Sequence, residues 1–349
     1  MVTIHPCGDA IDGVRFTAIG ARSHAGRAGA KTDGLMLVAT AGLPTSLVKE
    51  SMVAMKKLFP YVILFGILAT IAAQIYRRPR ESLMSVLRVM MLLIGAREGT
   101  CAVEGIPMHY YCMGRRGEPL IFVHGLGGSA ENWRKLFPLV GQEYLVYAPD
   151  LPGFGKTPLA PEGADIRTHV LYLERFLDAL GYPRATLVGN SLGGWIAACF
   201  AVEHPERVKH LYLLNSAGLR REGIQSPYTP DRDTARLAAK RIWDCQIPLP
   251  NFILDAFVRN SQRPAYAGFI KNYAQQEFLD PLLARIHVPT TIIWGTQDRL
   301  LPDSCAQDFH RGIAGSQLVL LPGVGHSPQS SSPAQVAQVI LRHAADVSV

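Results

Sequence analysis

The stretch from Ala185 to Val202 constrains the fold more than any other part of the chain. An apolar run, Ala185 to Val188, leads into Gly189-Asn190-Ser191-Leu192-Gly193-Gly194, and a small-residue helical pattern continues from Trp195 to Val202. This predicts a strand, a sharp turn and a helix, with a serine at the apex. Such a turn forces the serine into an unfavourable backbone conformation and brings neighbouring chain very close. Glycines two residues to either side, having no Cβ, relieve the contact. The strain holds the hydroxyl out at the end of a sheet, where a base can reach it.

A serine hydroxyl is a poor nucleophile until a base takes its proton, and a carboxylate orients that base best. Two later strands end in loops that carry such groups. Thr290-Thr291-Ile292-Ile293-Trp294 runs into Gly295-Thr296-Gln297-Asp298, and Gln317 to Leu321 runs into Pro322-Gly323-Val324-Gly325-His326. Asp298 and His326 are therefore expected on the same sheet edge as Ser191, the edge where open α/β sheets place their sites. Asp303 is the rival acid, but after Pro302 it is better placed to cap the next helix. An earlier buried strand, Pro119 to Val123, ends in His124-Gly125-Leu126-Gly127-Gly128 before a helix expected from near Ala130. Acyl transfer needs donors aimed at a developing oxyanion, and the backbone N–H groups of Leu126 and Leu192 are the candidates. His124 is expected to support this loop, and Asp150 to shape the turn Asp150-Leu151-Pro152-Gly153-Phe154-Gly155.

These motifs together resemble the α/β-hydrolase superfamily over the chain from about residue 100 to the C-terminus, least diagnostically around 220–285. The resemblance extends to membrane-anchored, monoacylglycerol-lipase-type members. The features shared with them are an apolar N-terminal segment, the glycine loop followed by Asn132-Trp133, and Asn215 to Leu219 opening a cap. It implies a mostly parallel sheet flanked by helices, Ser191 as nucleophile, Asp298 as orienting acid and His326 as base. Ser191 in place of an aspartate excludes the alkyl-enzyme route of dehalogenases and epoxide hydrolases on this fold.

Residues 1–50 show no sustained periodicity and read as a disordered tail, with an internal start at Met52 or Met55 as the alternative. Leu58 to Tyr76 carries no charge between Lys57 and Arg77, a length just sufficient to cross a bilayer. A cleaved signal peptide is the other reading of this run. Leu83 to Ile94, interrupted by Arg88, is too short to span and is expected in the interface or under the domain mouth. The expected organisation is thus a tail (1–50), an anchor with an interfacial helix (51–97), a first core part (98–218), a helical cap (219–285) and a second core part (286–349). Within the core, a hairpin from Thr100 to Gly114, turning at Gly105-Ile106-Pro107, precedes alternating strands and helices, the pattern of a parallel sheet. In the cap, Trp243, Phe252, Ile253, Leu254, Phe257, Tyr266, Phe269, Tyr273 and Phe278 are candidates for an apolar pocket or for the cap's own packing.

The net charge of +7 is spread over short arginine pairs with no nucleic-acid motif, which disfavours nucleic acid as a partner. Six cysteines stand without a Cys-x-x-Cys pair, so neither metal ligation nor a disulfide framework is expected. The expected activity is cofactor-free hydrolysis of a small-molecule or lipid-like ester of the monoacylglycerol type. Carbon–carbon bond hydrolysis, acyl transfer, general carboxylesterase activity and a non-catalytic ligand-binding role remain open on the same residues. Single-pass membrane attachment is expected. Lys49, Lys56 and Lys57 before the span and Arg77, Arg78, Arg80 and Arg88 after it leave the side open, leaning to a cytoplasmic domain.

Overall fold

The structure is a computed structural model that describes residues 45–221, 227–243 and 248–346. The chain divides into two compact units, Met1–Ile63 and Leu64–Val349. Of the first unit, the described residues are helical and belong to α1 (Thr45–Arg77). Most of the expected tail lies outside the described residues, and 45–50 are helical. Within α1, Met55–Arg77 is 23 residues long, unburied, and apolar enough to cross a bilayer by length and composition.

The second unit opens with the remainder of α1 and with α2 (Pro79–Leu93), which realises the second apolar stretch. Pro79, at the first helical position, has the fixed φ that starts a helix. Met91 is fully buried, whereas Val86, Val89, Met90, Leu92 and Leu93 are exposed. An eight-stranded sheet follows in the order β1-β2-β4-β3-β5-β6-β7-β8. The strands are β1 (Arg97–Val103), β2 (Ile106–Met113), β3 (Glu118–Val123), β4 (Tyr144–Pro149), β5 (Ala185–Asn190), β6 (Val208–Leu214), β7 (Thr290–Gly295) and β8 (Gln317–Leu321). β1 and β2 pair antiparallel, as do β2 and β4, and every pairing from β4 onward is parallel. The hairpin turns at Glu104-Gly105, both at positive φ, one residue earlier than expected. Pro107 instead sits in the ladder opposite Ala102, beyond the part of β2 that β4 covers, so its missing N–H leaves no strand unpaired.

Successive residues of the central strands point to opposite faces, and each face has its own core. Ile121, Val123, Leu187, Leu211, Leu213 and Ile292 pack on one side with α4 (Ile166–Ala179), α5 (Leu192–Glu203) and α9 (Ser304–Gly312). Leu120, Phe122, Val188, Tyr212, Leu214 and Ile293 pack on the other with α3 (Phe137–Val140) and α11 (Pro333–Asp346). The short α10 (Pro328–Ser331) precedes α11. The helix expected from near Ala130 is a single 3₁₀ turn, Ala130–Trp133, whose Trp133 stacks on Phe122 at 4.5 Å.

The expected cap is helical: α6 (Arg232–Trp243), α7 (Asn251–Ser261) and α8 (Pro264–Lys271). The Trp243 side chain falls outside the described residues. Phe269, Tyr273 and Phe278 gather around Trp195 of α5, so these aromatics fasten the cap to the core. Ile253, Phe257 and Tyr266 instead line a cavity of about 590 Å³, together with Leu83, Met84 and Leu87 of α2.

Glu131 is fully buried in the 3₁₀ turn, and neither carboxyl oxygen has a hydrogen-bond partner among the described residues. Burial and the neighbouring Asp150 carboxylate raise its pKa above the ordinary glutamate value. In the unfolded chain this group ionises near about pH 4.3. Native stability is therefore lost as pH climbs from there toward the raised folded value. Glu131→Gln removes that loss. Its melting temperature should exceed the wild type's by at least about 2 °C at pH 7.5, with the gap closing toward pH 4. A gap that does not change with pH would contradict a raised Glu131 pKa.

Candidate active site

Ser191 stands between β5 and α5 with φ +55° and ψ −120°, a conformation that side-chain-bearing residues avoid. Neighbouring backbone holds it there: Ser191 N–H donates to the Leu214 carbonyl at 3.1 Å, and its own carbonyl accepts from Ala217 at 3.0 Å. The two glycines are needed for contact reasons. A Cβ on Gly189 would lie 2.3 Å from the Gly193 carbonyl oxygen, and one on Gly193 would lie 2.0 Å from that of Val123. α5 is buried along its length from Leu192 to Val202, which explains its run of small and apolar residues.

Asp298 and His326 meet because their loops share backbone hydrogen bonds. Gln297 N–H donates to the Val324 carbonyl at 2.8 Å and Thr296 N–H to that of Leu321 at 3.1 Å. His326 Nδ1 lies 2.7 Å from Asp298 Oδ2, and the two side chains are 3% and 0% exposed. The Asp298 Oδ1 atom accepts from the N–H groups of Leu300 and Leu301, and Asn215 Nδ2 donates to Oδ2 at 2.7 Å. Burial opposes charge on Asp298, but His326 and these hydrogen bonds outweigh it and lower its pKa. The ionised carboxylate fixes the imidazole with Nδ1 protonated and leaves Nε2 as the basic nitrogen. Asp303 occupies the N-cap position of α9, as expected, although its side chain makes no capping hydrogen bond.

Two asparagines that sequence reasoning did not single out as site residues tie these parts together. Asn190 Nδ2 donates to the carbonyls of Leu214 (2.9 Å) and His326 (3.1 Å), and its Oδ1 accepts from Gln329 of α10. Asn215, at φ +40°, also accepts from Gly295 N–H at 2.9 Å while holding Asp298. A polar side chain closing an otherwise apolar strand was the available signal for both.

The loop carrying Leu126 is clamped at each end by consecutive residues after β4. Leu151 N–H donates to His124 Nε2 at 3.0 Å, while His124 Nδ1 donates to the Gly125 carbonyl at 2.8 Å. Burial lowers the His124 pKa, consistent with this neutral, supporting imidazole. Asp150 Oδ1 accepts from Ala130 N–H and Oδ2 from Lys156 N–H, both at 2.8 Å. His109 Nδ1 lies 2.8 Å from Oδ2, and its Nε2 lies 3.0 Å from Glu98, which pairs with Arg88 of α2. From the cap, Asn260 Nδ2 reaches the Gly127 carbonyl at 2.6 Å. A Cβ on Gly125 would lie 3.2 Å from the Ser191 Cβ, so the loop abuts the serine. The N–H groups of Leu126 and Leu192 have no acceptor among the described residues. The cavity of about 590 Å³ adjoins this region: Leu126 to Ser129 line it, as do Gly325 and Ser327 on either side of His326. Ser191 and His326 are not part of its wall. Among the described residues, no three His, Cys, Asp or Glu side chains gather as a metal ion would require.

A profile of the α/β hydrolase family matches residues 120–339. A 2-hydroxy-6-oxo-6-(2'-aminophenyl)hexa-2,4-dienoic acid hydrolase of Metapseudomonas resinovorans is 29% identical, over 68% of this chain and 87% of that protein. The crystal structure of a bacterial membrane phospholipase A is similar at a TM-score of 0.70 and 28% identity, covering 84% of this chain and 98% of the other. A lipase structure from Acinetobacter baumannii, at 24% identity and a TM-score of 0.68, shares the fold. With its parallel sheet, its serine turn and a match over more than half its length, the chain belongs to the α/β hydrolase family and is a hydrolase.

Proposed function

We propose that the chain is a serine hydrolase that cleaves carboxylic esters through an acyl-enzyme. Ser191 is the nucleophile, His326 the base and Asp298 the group that orients it. The observation that carries this reading is the strained, glycine-flanked Ser191 turn on the same sheet edge as a buried Asp298–His326 pair. His326 Nε2 takes the Ser191 proton as Oγ adds to the ester carbonyl carbon, and the oxyanion lies against the N–H groups of Leu126 and Leu192. Collapse breaks the ester bond and the departing alcohol takes the proton from His326. Water, deprotonated by the same imidazole, then adds to the acyl-enzyme. The acid leaves as Ser191 recovers its proton.

The substrate is a lipid-like ester of the monoacylglycerol type, and the chain is attached to a membrane through α1. Support comes from the unburied apolar run of α1, the apolar cavity wall beside the loops, and the similarity to a membrane phospholipase A. Each methylene buried in such a cavity contributes about 0.8 kcal/mol to binding. A second reading, hydrolysis of a carbon–carbon bond, is favoured by the relative that acts on a 2-hydroxy-6-oxohexadienoic acid. It would use the same three residues.

Variants test the three residues, and substrates separate the two readings. A fluorophosphonate probe should label the wild type and not Ser191→Ala, which should also lose nearly all esterase activity while staying folded. Labelling elsewhere, or an active variant, would remove the assignment. Asp298→Asn should lower kcat by about three to four orders of magnitude, as loss of the correct imidazole tautomer does elsewhere, whereas Asp303→Asn should stay within about threefold of wild type. The reverse ranking would move the acid to Asp303. In a chain-length series, medium and long acyl esters should surpass acetyl esters in kcat/KM, and the full-length protein should fractionate with membranes. A soluble protein that prefers acetyl esters would leave a general carboxylesterase. Faster turnover of the hexadienoic acid than of any ester would favour carbon–carbon hydrolysis.

A further inference from the structure

Two guanidiniums, one of them on the cavity wall, meet on a single backbone carbonyl without an acid between them. Arg80 lies in the first turn of α2 and lines the cavity, and its Nη2 donates to the Gly155 carbonyl at 3.3 Å. Arg263 immediately precedes α8, and its Nη1 donates to the same carbonyl at 3.5 Å. Several arginines on this protein are matched to carboxylates, as in Arg88–Glu98, Arg221–Asp308 and Arg232–Asp255, whereas Arg134 and Lys135, also on the cavity wall, reach separate backbone carbonyls. Arg80 and Arg263 have no ion-pair partner among the described residues. Burial and the charge of Arg80 pull the Arg263 guanidinium down to about 10.

The surroundings deepen the positive potential. Both arginines stand at helix N-termini, those of α2 and α8, and neither terminus has a side-chain cap. Each therefore keeps backbone N–H groups without a side-chain acceptor, and the first turn of α8 holds no acid to offset the positive end of its dipole. Two acids are near. Asp150, behind the Gly155 turn, already accepts from Ala130, Lys156 and His109. Glu81, in the first turn of α2, is exposed. Lys156 is paired with Glu98. Away from Arg80, the same helix presents Leu83, Met84 and Leu87 to the cavity, opposite Ile253 and Phe257 of α7. A charged end thus continues into an apolar wall.

We propose that Arg80 and Arg263 form a subsite for the phosphate group of a single-chain lipid whose acyl chain lies along the cavity wall of α2 and α7. Each guanidinium spends one of its five N–H donors on Gly155, which leaves a fork on each side for phosphate oxygens. A neutral glyceryl head would leave this paired charge unanswered. The inference deepens the lipid-ester reading and rests on it: among lipid esters, those with a phosphate beside the acyl chain are preferred.

Binding by the full-length Ser191→Ala protein in neutral detergent separates this proposal from the catalytic one, because it needs no turnover. Lysophosphatidylglycerol should bind at least tenfold more tightly than the monoacylglycerol of equal chain length, and 1 M NaCl should shrink that ratio. Adding Arg80→Gln with Arg263→Gln should abolish the preference without lowering the melting temperature measured without lipid. Arg80→Lys with Arg263→Lys should restore part of it. Equal affinity for the two lipids, or a preference that survives the glutamine pair, would overturn the subsite. Inorganic phosphate binding as tightly as the lysolipid would show that the chain contributes nothing, and would overturn the amphiphile. Loss of ester hydrolysis by the unsubstituted protein would strike the proposed reaction and leave this binding result standing.

Discussion

The rest of the candidate site depends on how closely three backbones approach at the end of β5. Gly189 lies against Gly193, and Gly193 lies against the carbonyl of Val123 at the end of β3. Any Cβ at either position would push α5 away from the sheet, lowering the Ser191 turn from its strained φ and separating Leu192 from the loop after β3. The strain is held by packing: α5 is buried on all sides, and the core helix cannot relax outward without opening a cavity. Local cost at one residue is thus offset by the burial of a whole helix.

Electrostatics complete what this approach begins. Asp298 is buried yet ionised because two backbone N–H groups, Asn215 and His326 surround it. Loss of the Asn215 donor would loosen the carboxylate that orients the imidazole. A second buried carboxylate, Asp150, fixes the loop opposite and is linked through His109 and Glu98 to Arg88 on α2. The helix that follows the apolar span is therefore joined by hydrogen bonds to the loop beside Ser191. Glu131, buried nearby, is the counter-example: burial and the Asp150 carboxylate raise its pKa above the ordinary glutamate value.

The elbow, the late-strand loops and the glycine loop were legible because each is announced by local chemistry, an apolar run ending in residues that a strand cannot continue. The four strands expected to carry these loops, at 119–123, 185–188, 290–294 and 317–321, form within two residues of those bounds. The hairpin turn was displaced because Pro107 reads as a turn residue, while its place in the ladder depends on where β4 ends, which is tertiary information. The tasks of the cap aromatics could not be divided in advance. Phe269 and Phe278 look no different in sequence from Phe257, and only packing sends them to Trp195 instead of the cavity. Asn190, Gln329 and the Asp150–His109–Glu98 chain join residues far apart in sequence, and nothing local signals their meeting.

The central claim is that Ser191 carries a covalent acyl group during turnover. The most direct measurement is rapid-quench intact-protein mass spectrometry of Asp298→Asn with a long-chain p-nitrophenyl ester, followed by peptide mapping. Slowed deacylation should leave an adduct of the acyl mass, confined to the peptide that contains Ser191 and discharged in step with acid release. Product formation with no covalent adduct, or an adduct on another residue, would contradict the account.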